Sequence, residues 1–444
     1  MEFHEIPTIN DKPISNEDED IREQLKRLGQ PVFINGETDE AREERLNNLL
    51  NNNDYMEEDD DDEEDEEEDD DEEEFYTPAS EELYDIRRRI LSDSLQRSSN
   101  RLKTQRQILQ NNPEFITFLK QRRDLNSKIA KIELYGSQFL TGNTRAISSV
   151  KFNYNGELIA CGSWDGSIHI LNQVDLSTHV KLSNNQHQEK IGALDWRKDQ
   201  NYLISGGGEG NLNLWDITNT DESILKPKFS IKNAHSNRIT KTIFHPINEY
   251  AISTSFDQTW KLWDLNTQIE LYQQEGHSKE IYCGSIHSDG SLFLSGGLDG
   301  IIYAWDLRSG RCLMPLQKHI NGVHGVDWSP NGYNFASGSG DSTIKIWDMR
   351  KLNHSGDEIY TIPAHNKLIS DLKYLKNDNQ EENGNILISS SYDGTINLWS
   401  TNNWIKVNSL KGHNDKVMSC DITTKDDNIT VVSSGWDRTV KLWK

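Results

Sequence analysis

Seven times along the C-terminal part of the chain, an acidic residue is followed six positions later by a large apolar residue, usually tryptophan. The pairs are Asp165 with Leu171, Glu209 with Trp215, Asp257 with Trp263, Asp299 with Trp305, Asp341 with Trp347, Asp393 with Trp399 and Asp437 with Trp443. From Leu171 to Trp443 is 272 residues over six steps, about 45 per step. Segments such as STIKIWD and GTINLWS alternate with period two, the signature of half-buried strands. A small-residue strand such as NFASGSG or ILISSSY precedes each acid. A period of about 40–45 residues with this content points to four-stranded units that bury their faces only by stacking on neighbours.

Two more markers keep step with the acids. His187, His235, His277 and His319 each precede their acid by 22 residues, His365 by 28 and His413 by 24. The longer intervals run through polar loops such as KNDNQEENGN, where insertion is tolerated. A serine stands four residues before six of the acids: Ser205, Ser253, Ser295, Ser337, Ser389 and Ser433. The first unit is degenerate, with Cys161 for Ser, Leu171 for Trp and no His.

The array resembles the WD-repeat family. The likeness rests on Gly276-His277 and Gly412-His413, on four Trp-Asp pairs (215–216, 263–264, 305–306, 347–348) and on the common His, Ser, Asp, Trp spacing. The resemblance implies an all-β seven-bladed propeller over residues 134–444. It also implies a hydrogen-bonded tetrad in each complete blade, represented by Ser337, Asp341 and Trp347 with His319. Buried indoles and imidazoles need such partners. Because the chain ends at Trp443-Lys444, the last unit lacks an outer strand. The spare segment 134–140 (LYGSQFL) is expected to supply it and close the ring, removing an open edge.

Ser, His and Asp at fixed spacing superficially suggest nucleophilic catalysis. A catalytic triad occurs once, with an exposed nucleophile; here the set recurs six times with a tryptophan attached, so it reads as structure. The glycine-rich stretch SGGGEG (205–210) sits where SGSGD and STSFD sit in sister units, and no helix with a lysine follows, so it reads as a strand-end turn. No catalytic, cofactor or metal site is expected. The residue before each turn acid is Trp164, Gly208, Phe256, Leu298, Gly340, Tyr392 or Trp436. In WD-repeat propellers this position lies on a common partner-binding face, which makes Trp164, Phe256, Tyr392 and Trp436 candidates for partner contact.

Charge divides the remaining chain. The formal net charge is −26, and residues 57–74 are 18 consecutive acids. That run should be disordered by self-repulsion. Residues 75–133 carry 12 Lys/Arg against 7 Asp/Glu. A uniformly basic nucleic-acid-binding surface is excluded, but a local one is not. Four scattered cysteines fit a reducing compartment rather than a disulfide framework or zinc site. No stretch approaches a membrane span, and the N-terminus has no secretory signal.

Residues 1–56 predict two short helices. Ser15 or Asn16 caps the first, whose Ile21, Leu25 and Leu28 share one face before Gly29 and Pro31 end it. Thr38 caps the second, with Leu46, Leu49 and Leu50 on one side. Such helices need a partner surface, which makes Leu25, Leu28 and Leu46 partner-binding candidates. In 75–133, Thr77 and Pro78 start a helix with an apolar stripe of Leu83, Ile86, Ile90 and Leu91. Arg87, Arg88, Arg89, Arg97, Arg101, Lys103 and Arg106 give it a basic surface able to meet RNA phosphates. A charged helix docked on the propeller is the alternative.

The stretch IREQLKRLGQPVFINGETDEAREERLNNLL resembles the splicing factor motif, through Leu28, Gly29, Pro31, Gly36, Glu37, Arg42, Arg45 and Leu46. Ile34-Asn35 departs from the usual Leu-Phe of that motif. The following FYTPASEELYDIRRRILSDSLQRSSNRLKTQR resembles the linker of the processing factor four family, the WD-repeat splicing factors of the U4/U6 small nuclear ribonucleoprotein (snRNP). The order of parts also matches: a motif in 1–56, an acidic run at 57–74, a basic linker at 75–133 and repeats over 134–444. The resemblance implies a non-enzymatic nuclear scaffold of the spliceosome. It would bind other splicing proteins of the U4/U6 particle and U4/U6 snRNA, with no membrane and no small-molecule substrate. The alternative is a WD-repeat chromatin adaptor binding histones through the acidic run. A ubiquitin-ligase substrate receptor would need a helical F-box-like module, and none is recognisable in 1–133.

Overall fold

In the computed structural model, the described residues are 21–22, 25, 38, 41–46, 81–111, 115–140, 145–182, 187–198, 201–218, 224–351, 358–376, 384–425 and 428–444. The chain forms two compact units, Met1–Tyr76 and Thr77–Lys444. In the first, residues 41–46 are helical, and the Arg42 amide donates to the Thr38 carbonyl at 3.1 Å, closing the first turn. Leu25 and Leu46 are buried. Leu28, Leu49, Leu50, the cap at Ser15 or Asn16, the Gly29–Pro31 stop, Thr77, Pro78 and the acidic run 57–74 lie outside the described residues.

The second unit is a seven-bladed β-propeller. Its blades are antiparallel sheets of four strands, except that the first gains a fifth, Ile224–Leu225, paired in parallel with Thr178–Leu182. The final sheet takes its outer strand from the start of the array. Leu134–Phe139 pairs antiparallel with Thr439–Trp443, setting Phe139 opposite Thr439 and Gly136 opposite Leu442. The amides of Glu133 and Lys444 exchange hydrogen bonds with each other's carbonyls at 3.0 and 3.1 Å. The repeat count leaves the last blade one strand short, and this segment fills the place.

Packing joins blade to blade. Val323, Val326, Trp328 and Phe335 of the fifth blade share one buried cluster with Leu294, Ile302 and Ala304 of the fourth. Every inner strand also breaks register near its first residue, at positions such as Ile147/Ser149, Ile239/Lys241 and Ile369/Asp371. The irregularity turns the intervening side chain toward the next blade. Thr240 Oγ1 donates to Ile281 O at 2.9 Å, Ser370 Oγ to Val417 O at 2.8 Å, and Ser148 Oγ to Ile191 O. At the equivalent Gly192 a Cβ would lie 2.2 Å from Ile239 O, so only glycine permits that approach.

Two helices lie outside the ring of sheets. The long helix, Glu81–Asn111, buries Leu83 with Tyr250, Ile252 and Leu262 of the third blade. The shorter helix, Phe115–Ala130, places Leu125 and Ile129 in the cluster of the last two blades. Asn408 Nδ2 caps its end, donating to the carbonyls of Ile129 and Ile132 at 3.0 and 3.2 Å.

Candidate binding surfaces

Six blades carry the same polar chain. In the fifth, Trp347 Nε1 lies 2.9 Å from Ser337 Oγ, which lies 2.8 Å from His319 Nε2; His319 Nδ1 is 2.9 Å from Asp341 Oδ2. A carboxylate only accepts, so Nδ1 carries the proton, Nε2 accepts from the serine, and the serine accepts from the indole. The same links join His187, His235, His277, His365 and His413 to Ser205, Ser253, Ser295, Ser389 and Ser433 at 2.6–2.8 Å. The other carboxylate oxygen caps the tight turn, as where Asp341 Oδ1 accepts from the Thr343 amide at 2.9 Å and its hydroxyl at 2.6 Å. Burial pushes the Asp257 carboxyl up, but His235 and the Thr259 hydroxyl and amide outweigh it and hold it at about 2. All six serines are fully buried, so no substrate can reach their hydroxyls.

The four aromatic residues that precede turn acids are held by their backbones, leaving their side chains to project. The amides of Trp164, Phe256, Tyr392 and Trp436 donate to the carbonyls of Ala146, Arg238, Leu368 and Lys416 at 2.9–3.1 Å. Trp164 and Trp436 meet edge to face, 5.3 Å between centroids. The Lys416 ammonium lies 4.6 Å from the Trp436 ring and 5.0 Å from Tyr392, while Lys190 lies 4.4 Å from Trp164. The structure therefore assembles three of the four aromatic candidates with two lysines. Phe256 has its own partners, Arg238 at 3.6 Å and Tyr282 at 6.2 Å.

On the opposite side the long helix spends most of its arginines on the propeller. Arg101 forks onto Asp289, with Nη2 2.7 Å and Nε 3.1 Å from the carboxylate, donates to Asn331 O at 2.8 Å and covers the Tyr333 ring. Arg97 donates to Asp93 at 2.5 Å and to Pro246 O at 3.1 Å. Arg87 lies over the Tyr272 ring at 5.1 Å, and Arg89 pairs with Glu249 at 2.6 Å. Gly310 and Gly332 make room: each has a positive φ, and a Cβ there would lie 2.1 Å from Arg87 and 2.4 Å from Arg101. Of the seven basic candidates, Arg88, Lys103 and Arg106 are exposed without such contacts.

Beside this helix the central channel widens into a cavity of about 780 Å³. Five of its charges, Lys151, Asp195, Asp327, Lys373 and Asp421, stand at the fifth residue of an inner strand. They strap neighbouring blades. Asp195, Asp327 and Asp421 accept from the amides of Phe244, Tyr374 and Phe152 at 2.8–2.9 Å. Lys151 lies 3.4 Å from Asp195, and Lys376 lies 2.8 Å from Asp327. Burial raises the Asp421 carboxyl, whereas at Asp327 the same effect is outweighed by Lys376 and Lys373, which hold it low. Sequence reasoning missed this ring, although its signal is legible: a charge at one register of otherwise apolar strands. Among the described residues, no group of His, Cys, Asp and Glu is placed to hold a metal ion.

Comparison with known proteins decides the family. The pattern described as "WD domain, G-beta repeat" matches seven segments, at 136–172, 179–216, 226–264, 269–306, 310–348, 356–400 and 404–444. Residues 21–49 match "pre-mRNA processing factor 4 (PRP4) like". The U4/U6 small nuclear ribonucleoprotein PRP4 of Saccharomyces cerevisiae is 39% identical over 444 residues, covering 100% of this chain and 90% of that protein. The chain belongs to the PRP4 family of WD-repeat proteins. An uncharacterised WD-repeat protein of Schizosaccharomyces pombe is 36% identical over 253 residues, 55% of this chain and 52% of its own length. The small ribosomal subunit protein RACK1y of Oryza sativa is 28% identical over 164 residues, 35% of this chain and 46% of its own. The match at 21–49 lies outside the repeats, so the PRP4 likeness is more than a shared propeller.

Proposed function

We propose that the chain is a non-enzymatic scaffold of pre-mRNA splicing, acting in the nucleus within the U4/U6 snRNP and the U4/U6.U5 tri-snRNP. The observation that carries this reading is the end-to-end identity with the yeast PRP4 protein. The 21–49 match favours this segment, with Leu28, as one contact for a companion splicing factor, whereas Leu25 and Leu46 are already buried within the chain and so shape the segment rather than meet the partner. The Trp164, Tyr392 and Trp436 cluster, and Phe256 on its own, offer a second protein-binding surface. Contact with U4/U6 snRNA falls to Arg88, Lys103 and Arg106, because Arg87, Arg89, Arg97 and Arg101 hold the helix to the propeller. No observation favours the histone reading.

The test is recovery of RNA and protein with the tagged full chain. Wild type should retain U4 and U6 RNA; recovery of neither would overturn the splicing reading. Arg88→Glu, Lys103→Glu and Arg106→Glu together should weaken that retention. They should also flatten its salt dependence by roughly one unit of log–log slope per lost phosphate contact. Deleting residues 21–49 should instead release the companion protein while leaving the propeller, a separate compact unit, folded. Equal RNA retention by the charge-reversed chain would remove the RNA role from this helix.

A further inference from the structure

The central cavity engages its carboxylates within the chain but leaves three ammonium groups without a hydrogen bond. Lys151, Lys241 and Lys373 enter its lining from the first, third and sixth blades. Lys241 reaches across the channel toward Asp371 of the sixth blade and stops at 3.6 Å, and Lys151 stops 3.4 Å from Asp195. Lys373 is only 7% exposed, and among the described residues its ammonium has neither a hydrogen bond nor an ion pair. The carboxylates nearby are occupied. Asp195, Asp327 and Asp421 accept amides of neighbouring blades. Asp327 also accepts from the Ser285 hydroxyl at 2.9 Å and from Lys376 at 2.8 Å. Asp371 accepts from the Ser419 hydroxyl at 2.7 Å and from the Leu372 amide at 3.0 Å. An ammonium only donates, so the channel wall presents three charged donors that no acceptor of the described chain takes up. Burial pushes the Lys241 ammonium below its ordinary value; Asp371 opposes the shift, and the charges of Lys373 and Lys151 add to it. Lys241 therefore feels both other cations across a cavity of about 780 Å³.

A buried charge without a partner is costly. Water in the cavity would satisfy the donors but leave like charges facing one another. An anion with several oxygens does both. We propose that the channel binds a small, multiply charged anion of the phosphate class, held between the ammonium groups of Lys151, Lys241 and Lys373. Hydrogen bonds from ammonium to phosphate are charge-assisted, and lysine suits a compact anion because its donors rotate freely on a flexible stem. Lys198 and Lys376 line the same cavity and are exposed, so two cations stand at its solvent edge. A nucleic-acid strand cannot thread the channel, because Lys241 and Asp371 meet across it. The proposal goes beyond the splicing reading and does not depend on it. Its lysines belong neither to the long helix nor to the cluster of Trp164 and Trp436.

Titration calorimetry of the full chain with inorganic pyrophosphate, in phosphate-free buffer, is the test. Wild type should bind, and the affinity should fall as salt rises. Lys373→Met should weaken binding at least roughly tenfold, while Lys373→Arg should keep most of it. The chain with Arg88→Glu, Lys103→Glu and Arg106→Glu should bind pyrophosphate like wild type, which separates this site from the helix assigned to RNA. Pyrophosphate should also raise the melting temperature of wild type and leave that of Lys373→Met unchanged. Each chain is its own reference there, so a change in starting stability does not blur the result, and Lys151→Met provides the comparison should Lys373→Met fold poorly. No heat and no melting shift at millimolar pyrophosphate would overturn the proposal and leave the channel to water. Equal affinity for wild type and Lys373→Met would overturn it as well. Competition by a 5′-phosphorylated uridine oligonucleotide, but not by the unphosphorylated one, would uphold the site with an RNA end as the source of the phosphate. Competition by neither would uphold it with a free anion as the ligand.

Discussion

The first and fifth blades have the same inner four strands but bury their centres differently. The fifth links Trp347, Ser337, His319 and Asp341 in a polar chain. The first has Cys161 and Leu171 at the Ser and Trp positions, both fully buried. Strand register is nonetheless shared: Cys161 faces His169 as Ser337 faces Lys345. The turn is shared too, with Asp165 Oδ1 accepting from the Ser167 amide at 3.0 Å and its hydroxyl at 2.6 Å. Blade geometry therefore comes from stacking and the capped turn. The tetrad is one way to fill the centre, and an apolar pair beside a neighbouring blade is another.

That contrast can be broken most forcefully at the ring's seam. Deleting 134–140 removes the strand that the last blade borrows, and should cost roughly 5 kcal/mol or more, a large part of a domain's stability. Unchanged thermal unfolding would refute the closure. Next in size, Trp347→Ala empties a fully buried site and strips Ser337 of its donor, at about 3–5 kcal/mol in denaturant titration. The same substitution at Leu171 should cost about 2–5 kcal/mol with no polar group orphaned.

Acid should then separate the tetrad blades from the first. The Asp257 carboxyl sits at about 2 in the folded chain, against about 3.9 unfolded. A depressed folded value means stabilisation that is complete above the unfolded value and lost as pH falls from about 4 toward 2, on the order of 2 kcal/mol. His235→Gln should shrink this pH dependence, and a pH–stability profile identical to wild type would show that the histidine does not set it. The smallest effect should come from Cys161→Ser, which buries a hydroxyl with no histidine or indole at the tetrad positions, at about 1–2 kcal/mol. If that variant were as stable as wild type, the first blade would have a polar partner of its own.

Some of this molecule is readable without coordinates. The acid-to-tryptophan interval and the His and Ser markers yield seven blades, because each rests on spacing within about 45 residues, and counting strands per repeat leaves 134–140 over for the closure. Leu91 read as part of one docking stripe with Leu83 and Ile90, but in the structure those two are buried on one face and Leu91 is exposed on another. Only the position of the propeller separates the two faces. The arginines show the same limit. Arg88 and Arg89 are adjacent and chemically identical, yet Arg89 meets Glu249, 160 positions away, while Arg88 faces outward.

Spacing along the chain records what must recur for each blade to fold, so the amino-acid sequence by itself determined the architecture, the buried serines and the turn carboxylates. Contacts over long separations leave no such period. Arg101 reaches Asp289 across 188 positions and Asn331 across 230, and glycines at 310 and 332 clear the space for two guanidinium groups. Which cations are spent on packing and which remain for a partner was decided by tertiary structure alone, because a side chain's availability depends on the surface that folding brings against it.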